Sequence, residues 1–216
     1  MYKYIFWDCD NTLVSNGKIH WEKHVHVLGK YGIELDPSYS QKFYHNNGEQ
    51  NWQSMVEDYG FKIPCAEYLK EVDAWYHARI SEAPLRDGVG EALERFQSLG
   101  SHQCIVTNAR TASVLPMLRS KNLLRYFEFV LCKEDYNERK PHPMPYLTAF
   151  SKMESLYGSI DKNDCLAIED DPYGVVSAAT AGLHVLHRRR NDEEPPEEFA
   201  TSSLYTEEDF LSFLFG

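Results

Sequence analysis

Short apolar runs alternate with helical patterns along most of this chain. Runs at Tyr2–Trp7, His102–Thr107, Phe127–Leu131, Asp164–Ile168 and Leu183–His187 read as strands, each five or six residues long. Between them, Val89–Leu99 carries Val89, Leu93, Phe96 and Leu99 at helical spacing, and Gly100 follows as a C-terminal stop. Thr111–Lys121, Pro145–Leu156 and Pro172–Ala181 read as further helices, with Pro145 tolerated in a first turn. Near-continuous apolar strands alternating with helices predict an α/β fold, a Rossmann-like, mostly parallel sheet with helices on both faces.

Residues 16–83 break that rhythm. Helical patterns recur at Ile19–Tyr31, Ser38–His45, Trp52–Tyr59 and Cys65–Ile80, without a convincing strand. The expected organisation is therefore an α/β catalytic core from residues 1–15 and 84–216, interrupted by an all-helical cap domain at 16–83. Arg188–Glu198, basic and then acidic around two prolines, reads as a solvated surface loop after the last core strand.

Composition narrows the classes. Thirty-three acidic against 22 basic residues give a formal net charge of −11, which disfavours a nucleic-acid polymer as partner. A small anion remains compatible, because a local lysine or metal outweighs a distant field. The five cysteines show no CxxC spacing and read as reduced, packed thiols. No signal segment and no apolar run of about 18 residues is expected, so the reading is a cytoplasmic protein without membrane association. Composition leaves the oligomeric state open.

The chemistry lies at the strand ends, where open parallel sheets bind ligands. The first strand ends in Asp8 and Asp10, with Thr12 beyond; the second delivers Thr107 and Asn108; the fourth delivers Glu169, Asp170 and Asp171. Lys140 follows the third strand. Clustered carboxylates repel one another and are suited to a hard divalent cation, with Mg²⁺ favoured by oxygen donors. Lys140 and the Thr107 hydroxyl suit phosphoryl oxygens, and a metal-supported aspartate can be a nucleophile. Three successive acids cannot project one way from an extended segment, so Asp171 is a candidate cap for the following helix.

DCDNTLV, VTN, KPHPMPY and IEDDPYG together resemble the four ordered motifs of the haloacid dehalogenase-like hydrolases. The nearest branch resembles phosphoglycolate phosphatases and β-phosphoglucomutase, and the likeness runs from Tyr2 to about Leu211. The resemblance implies a Mg²⁺-dependent phosphatase acting on a small phosphorylated metabolite through an aspartyl-phosphate. It implies Asp8 as nucleophile and metal ligand, and Asp10 as general acid/base whose backbone carbonyl faces the metal. Thr107, Asn108 and Lys140 would bind phosphate, and Glu169 and Asp170 would bind metal. Thr12, His20 and Asp171 are candidates for substrate contact or support.

Cys9 invites thiol chemistry, although strand alternation turns it away from its acidic neighbours. In the mutase branch a histidine early in the cap contributes to substrate control, which makes His20 a candidate. His45, Asn46, Asn47 and Gly48 form a second polar loop without the arginine that would hold a second phosphate, which favours hydrolysis over a sugar-phosphate mutase. A catalytically inactive binding or regulatory protein is the remaining alternative.

Overall fold

A computed structural model describes residues 2–216, apart from the side chains of Gln41, Tyr44 and His45. The chain divides into two compact units, Met1–Ser15 with Pro84–Gly216, and Asn16–Ala83. No helix among the described residues is long and apolar enough to cross a membrane.

The larger unit is built on a six-stranded parallel sheet. Its strands are β1 (Tyr4–Trp7), β2 (His102–Val106), β3 (Phe129–Leu131), β4 (Cys165–Glu169), β5 (His184–Arg188) and β6 (Ser202–Leu204). Their order is β3-β2-β1-β4-β5-β6, with every neighbouring pair parallel. β1 is central, and its Ile5, Phe6 and Trp7 are fully buried. Strand alternation sends Phe6 to one face, where Cys104, Val106, Ala167 and Val185 join it. Helices α7 (Met144–Tyr157) and α8 (Pro172–Thr180) cover that face with Tyr146, Ala149, Phe150, Met153, Val175 and Ala178.

Trp7 faces the other way. It meets Phe96 of α5 (Val89–Ser98) and Phe210 of α9 (Glu207–Phe215) edge-on. Its indole N–H donates to Gln103 Oε1 at 3.0 Å, and Gln103 in turn donates to the Leu93 carbonyl at 3.1 Å. These contacts satisfy polar groups whose burial alone would cost stability. Helix α6 (Thr111–Ser120) follows β2, as its sequence pattern predicts.

The smaller unit is helical throughout: α1 (Gly17–Lys30), α2 (Tyr39–His45), α3 (Gly48–Tyr59) and α4 (Cys65–His77). Its separate core is formed by Val27, Leu28, Leu35, Phe43, Met55, Phe61, Tyr68 and Val72. Asn47 caps α3, accepting from the Gln50 amide at 2.9 Å while Gln50 Oε1 accepts from the Asn47 amide at 2.8 Å. These reciprocal bonds satisfy two of the amides left unpaired at a helix start.

Three readings of the sequence need correction. Arg188 does not open a surface loop: it is the last residue of β5, only 1% exposed, and its guanidinium lies over the Phe210 ring at 3.7 Å. Ser202–Leu204 adds a sixth strand that escaped the pattern, because it is three residues long, polar and only half-buried. The helix expected over Cys65–Ile80 stops at His77, and Ile80–Glu82 forms a separate 3₁₀ turn.

Candidate active site

Register brings the site together. Trp7 stands level with Ile105 of β2 and Ile168 of β4, so the residues after them emerge on one rim. The Asp8 amide donates to the Ile168 carbonyl at 2.9 Å, and the Thr107 amide donates to that of Leu131 at 3.0 Å. Asp8, Thr107 and Glu169 are thereby held by the ladder itself rather than by mobile loops. Beyond Asp8 the chain turns sharply, with the Leu13 and Val14 amides donating to the Cys9 carbonyl at 2.9 and 3.3 Å. Asn11 takes φ +54°, a left-handed conformation that asparagine tolerates better than most residues.

Lys140 stands at the centre of the cluster, 7% exposed. Its Nζ donates to Asp8 Oδ1 at 2.8 Å, Glu169 Oε1 at 2.6 Å and the Val106 carbonyl at 2.7 Å. Three donors thus meet three acceptors, one just beyond β1 and the others in β2 and β4, and the ammonium also lies over the Tyr146 ring. Burial disfavours the charged amine, yet Asp8 and Glu169 outweigh it and hold the Lys140 pKa well above the lysine norm. Burial raises Asp8 despite the opposing Lys140 charge, with Asp10 adding to the rise. Glu169 is pushed well up by burial and then by Asp8, as is Asp170. One lysine does not neutralise this group of acids.

Asp8, Glu169 and Asp170 are buried, and each offers a carboxylate oxygen within 4.8 Å of the others. This all-oxygen set, short of positive charge, fits a hard divalent cation. Thr12 is fully buried and donates to Asp170 Oδ1 at 3.2 Å, joining the first strand's turn to the fourth strand's end. Asp171 points elsewhere and accepts from the Tyr173 amide at 2.8 Å as the cap of α8. Asp10 is half-buried beside these groups in the chain and pairs as an isolated bridge with Val14.

Thr107 is buried, and its hydroxyl oxygen accepts from the Ala109 amide at 3.1 Å. Asn108 braces the Lys140 loop: its Oδ1 accepts from the Lys140 amide at 3.1 Å and its Nδ2 donates to the Lys140 carbonyl at 3.3 Å. Cys9 is fully buried, and burial pushes its thiol well up, with Asp10 and Asp8 adding to the rise. A group so reluctant to ionise is a poor nucleophile, which counts against thiol chemistry.

Some supporting residues carried no assignment from sequence. Tyr146 donates its hydroxyl to Glu169, and Tyr136 donates to the Thr107 carbonyl. His187 Nε2 lies 3.3 Å from the Asp170 carbonyl. Tyr146 falls within KPHPMPY, but its aromatic character there signals only core packing.

His20 lies in the helical unit. Its Nδ1 accepts from Lys23 Nζ at 3.0 Å and its Nε2 is 3.0 Å from the Tyr76 hydroxyl, which Asn16 Nδ2 also reaches at 3.0 Å. His45, from the second polar loop, has a side chain outside the described residues, and Asn47 of that loop is engaged as the α3 cap.

The chain belongs to the haloacid dehalogenase-like hydrolases, whose family model matches residues 5–187. Among its curated relatives, the phosphoglycolate phosphatase of Thiobacillus denitrificans is 36% identical over 139 residues, covering 64% of this chain and 50% of that protein. The 6-phosphogluconate phosphatase of Escherichia coli is 24% identical over 188 residues, covering 85% of this chain and 80% of that one. A solved structure described as a "putative beta-phosphoglucomutase" from Thermotoga maritima superposes with a TM-score of 0.83 at 20% identity, covering 98% of each chain. That similarity establishes the shared fold.

Proposed function

We propose that this hydrolase is a phosphatase of small phosphomonoesters that works through an aspartyl-phosphate on Asp8. The observation that carries the reading is Lys140 held between Asp8 and Glu169, beside a third buried carboxylate at Asp170. The family and the phosphatase relatives support the reaction class.

Asp8, with Oδ1 engaged by Lys140, uses its other carboxylate oxygen to attack phosphorus in line. The bond from phosphorus to the ester oxygen breaks, and Asp10 gives its proton to the departing alcohol. Asp10 then takes a proton from water as that water attacks the phosphorus of the aspartyl-phosphate. Inorganic phosphate leaves and the Asp8 carboxylate is restored. Lys140 offsets phosphoryl charge, as do the Thr107 hydroxyl and the Asn108 backbone amide. Asp8, Glu169, Asp170 and the Asp10 carbonyl are the proposed ligands for Mg²⁺, which when bound supplies further positive charge to the phosphoryl oxygens.

The helical unit, Asn16–Ala83, is proposed as the cap that chooses the leaving group. Its two connectors leave from and return to the turn carrying Asp10, where the Ser15 amide donates to the Pro84 carbonyl at 2.9 Å. His20 is its candidate contact residue.

The deciding experiment is a panel of phosphate esters assayed for inorganic phosphate with Mg²⁺ and with EDTA, for wild type and Asp8→Asn. Metal-dependent release that vanishes in Asp8→Asn is expected. Release that survives the substitution removes Asp8 as nucleophile. Interconversion of sugar monophosphates with a bisphosphate primer, with organic phosphate conserved, would replace the phosphatase by a mutase.

A further inference from the structure

The geometry points to Arg86 as a positioning residue for the catalytic turn, a role that rests on the phosphatase reading above. Arg86 Nη1 donates to the Asn11 carbonyl at 2.7 Å, in the middle of the segment that joins Asp8 and Asp10 to Thr12. The same Nη1 donates to the Arg188 carbonyl at 2.8 Å, and Nη2 donates to the Arg189 carbonyl. One guanidinium therefore ties the turn after β1 to the end of β5, two segments that share no ladder.

Both ends of the tie are anchored. On one side the Arg86 amide donates to the Leu13 carbonyl at 3.0 Å, and Leu85 pairs antiparallel with Val14. On the other, Arg188 Nη2 returns a bond to the Asp87 carbonyl at 3.2 Å, while the buried Arg188 guanidinium stacks on Phe210. The two arginines thus lace residues 86–87 to residues 188–189 in both directions.

The turn needs such a tie. Asn11 sits in a left-handed conformation that side chains other than glycine's adopt infrequently, even though asparagine is among the more tolerant. A peptide rotation at Asn11 would carry Asp10 and Thr12 with it, and Thr12 holds Asp170. A planar fork with several fixed donors can hold carbonyls from two segments at once. A lysine in its place offers a compact charge without that geometry.

The test compares wild type, Arg86→Met and Arg86→Lys by residue-resolved amide exchange and by steady-state kinetics on the best ester found. Expected is faster exchange at Leu13 and Val14 in Arg86→Met, with exchange along β4 unchanged. A loss in kcat of roughly tenfold to a hundredfold is expected, larger than the change in KM, as for a displaced reacting group. Arg86→Lys recovers part of it, and added guanidinium partly rescues Arg86→Met. Unchanged exchange at the turn overturns the inference. So does acceleration spread evenly through the unit, which would make Arg86 a general stabiliser. If Arg86→Met does not fold, Arg86→Lys carries both readouts. Exchange needs no turnover, so a wild type that releases no phosphate refutes the phosphatase reading and leaves the turn test standing.

Discussion

The Glu169 carboxylate occupies the place where a side chain on Gly174 would begin. A Cβ built on Gly174 would lie 2.1 Å from Glu169 Oε2 and 2.3 Å from Oε1. Gly174 lies in the first turn of α8, so its missing side chain leaves the space in which the Glu169 carboxylate lies close against the helix. The close approach lets Glu169 receive Lys140 and Tyr146 on Oε1.

Gly174→Ala tests that relationship. Alanine favours a helix by about 0.5–1 kcal/mol over glycine, but forcing a methyl into a packed site costs about 1–3 kcal/mol. Net destabilisation in denaturant is expected, together with a drop in kcat of roughly tenfold or more as Glu169 and Lys140 shift. A variant as stable and active as wild type would show that Glu169 can move without consequence.

Lys140→Met leaves Asp8 and Glu169 buried without their ammonium. Breaking a buried ion pair on one side costs about 3–5 kcal/mol, so a loss of that order is expected for metal-free protein at neutral pH. The loss should shrink on acidification, because protonated carboxyls no longer need the partner. Chemical denaturation of both proteins across pH, in EDTA, measures it.

Asp170 has a folded-state pKa raised well above the ordinary carboxylate value, chiefly by burial. A raised pKa means that the folded state binds the proton more tightly. Its favourable contribution is complete below the unfolded value near 3.8 and is lost as pH rises through the folded value. Metal-free Asp170→Asn should therefore be more stable than wild type at neutral pH, with the difference closing toward pH 4. Mg²⁺ should raise the melting temperature of wild type and leave that of the variant nearly unchanged. Equal shifts in both would remove Asp170 from the proposed metal site.

In the helical unit, His24 is 3% exposed, with Nδ1 2.6 Å from the Tyr68 hydroxyl. Burial, then the charge of Lys23, holds its pKa well below the ordinary 6.5. A depressed pKa reverses the sign: stability is present above 6.5 and falls as pH drops below it, by up to about 1.4 kcal/mol per pH unit. Thermal unfolding of wild type and His24→Gln between pH 7.5 and 5 should give a steeper decline for wild type. Parallel curves would place the proton elsewhere.

Much of this architecture was legible from local pattern. Apolar runs such as residues 5–7 and 165–168 carry their own signal, because the stretch of a strand buried on both faces must be apolar. Ser202–Leu204 carries none, since an exposed edge imposes no such demand. Arg188 was misread for a related reason. Its charge suggests solvent, but the aromatic face of Phe210 and the Asp87 carbonyl, both distant in sequence, accommodate it in the interior. The same limit applies to Asn108, whose side chain pairs with a backbone 32 residues away.

The sequence alone determined which groups stand at the strand ends, because strand period and chain order place Asp8, Thr107 and Glu169 just beyond buried runs. It also carried the four motifs that mark the hydrolase family. Only the tertiary structure decided how those groups are held: Lys140 between two carboxylates, Glu169 in the space left by Gly174, and Asn11 tied by Arg86. Those relationships are distances between segments far apart in the chain. Local hydrophobic pattern encodes which face a residue takes, whereas the partner it meets there depends on register and close packing across the whole sheet.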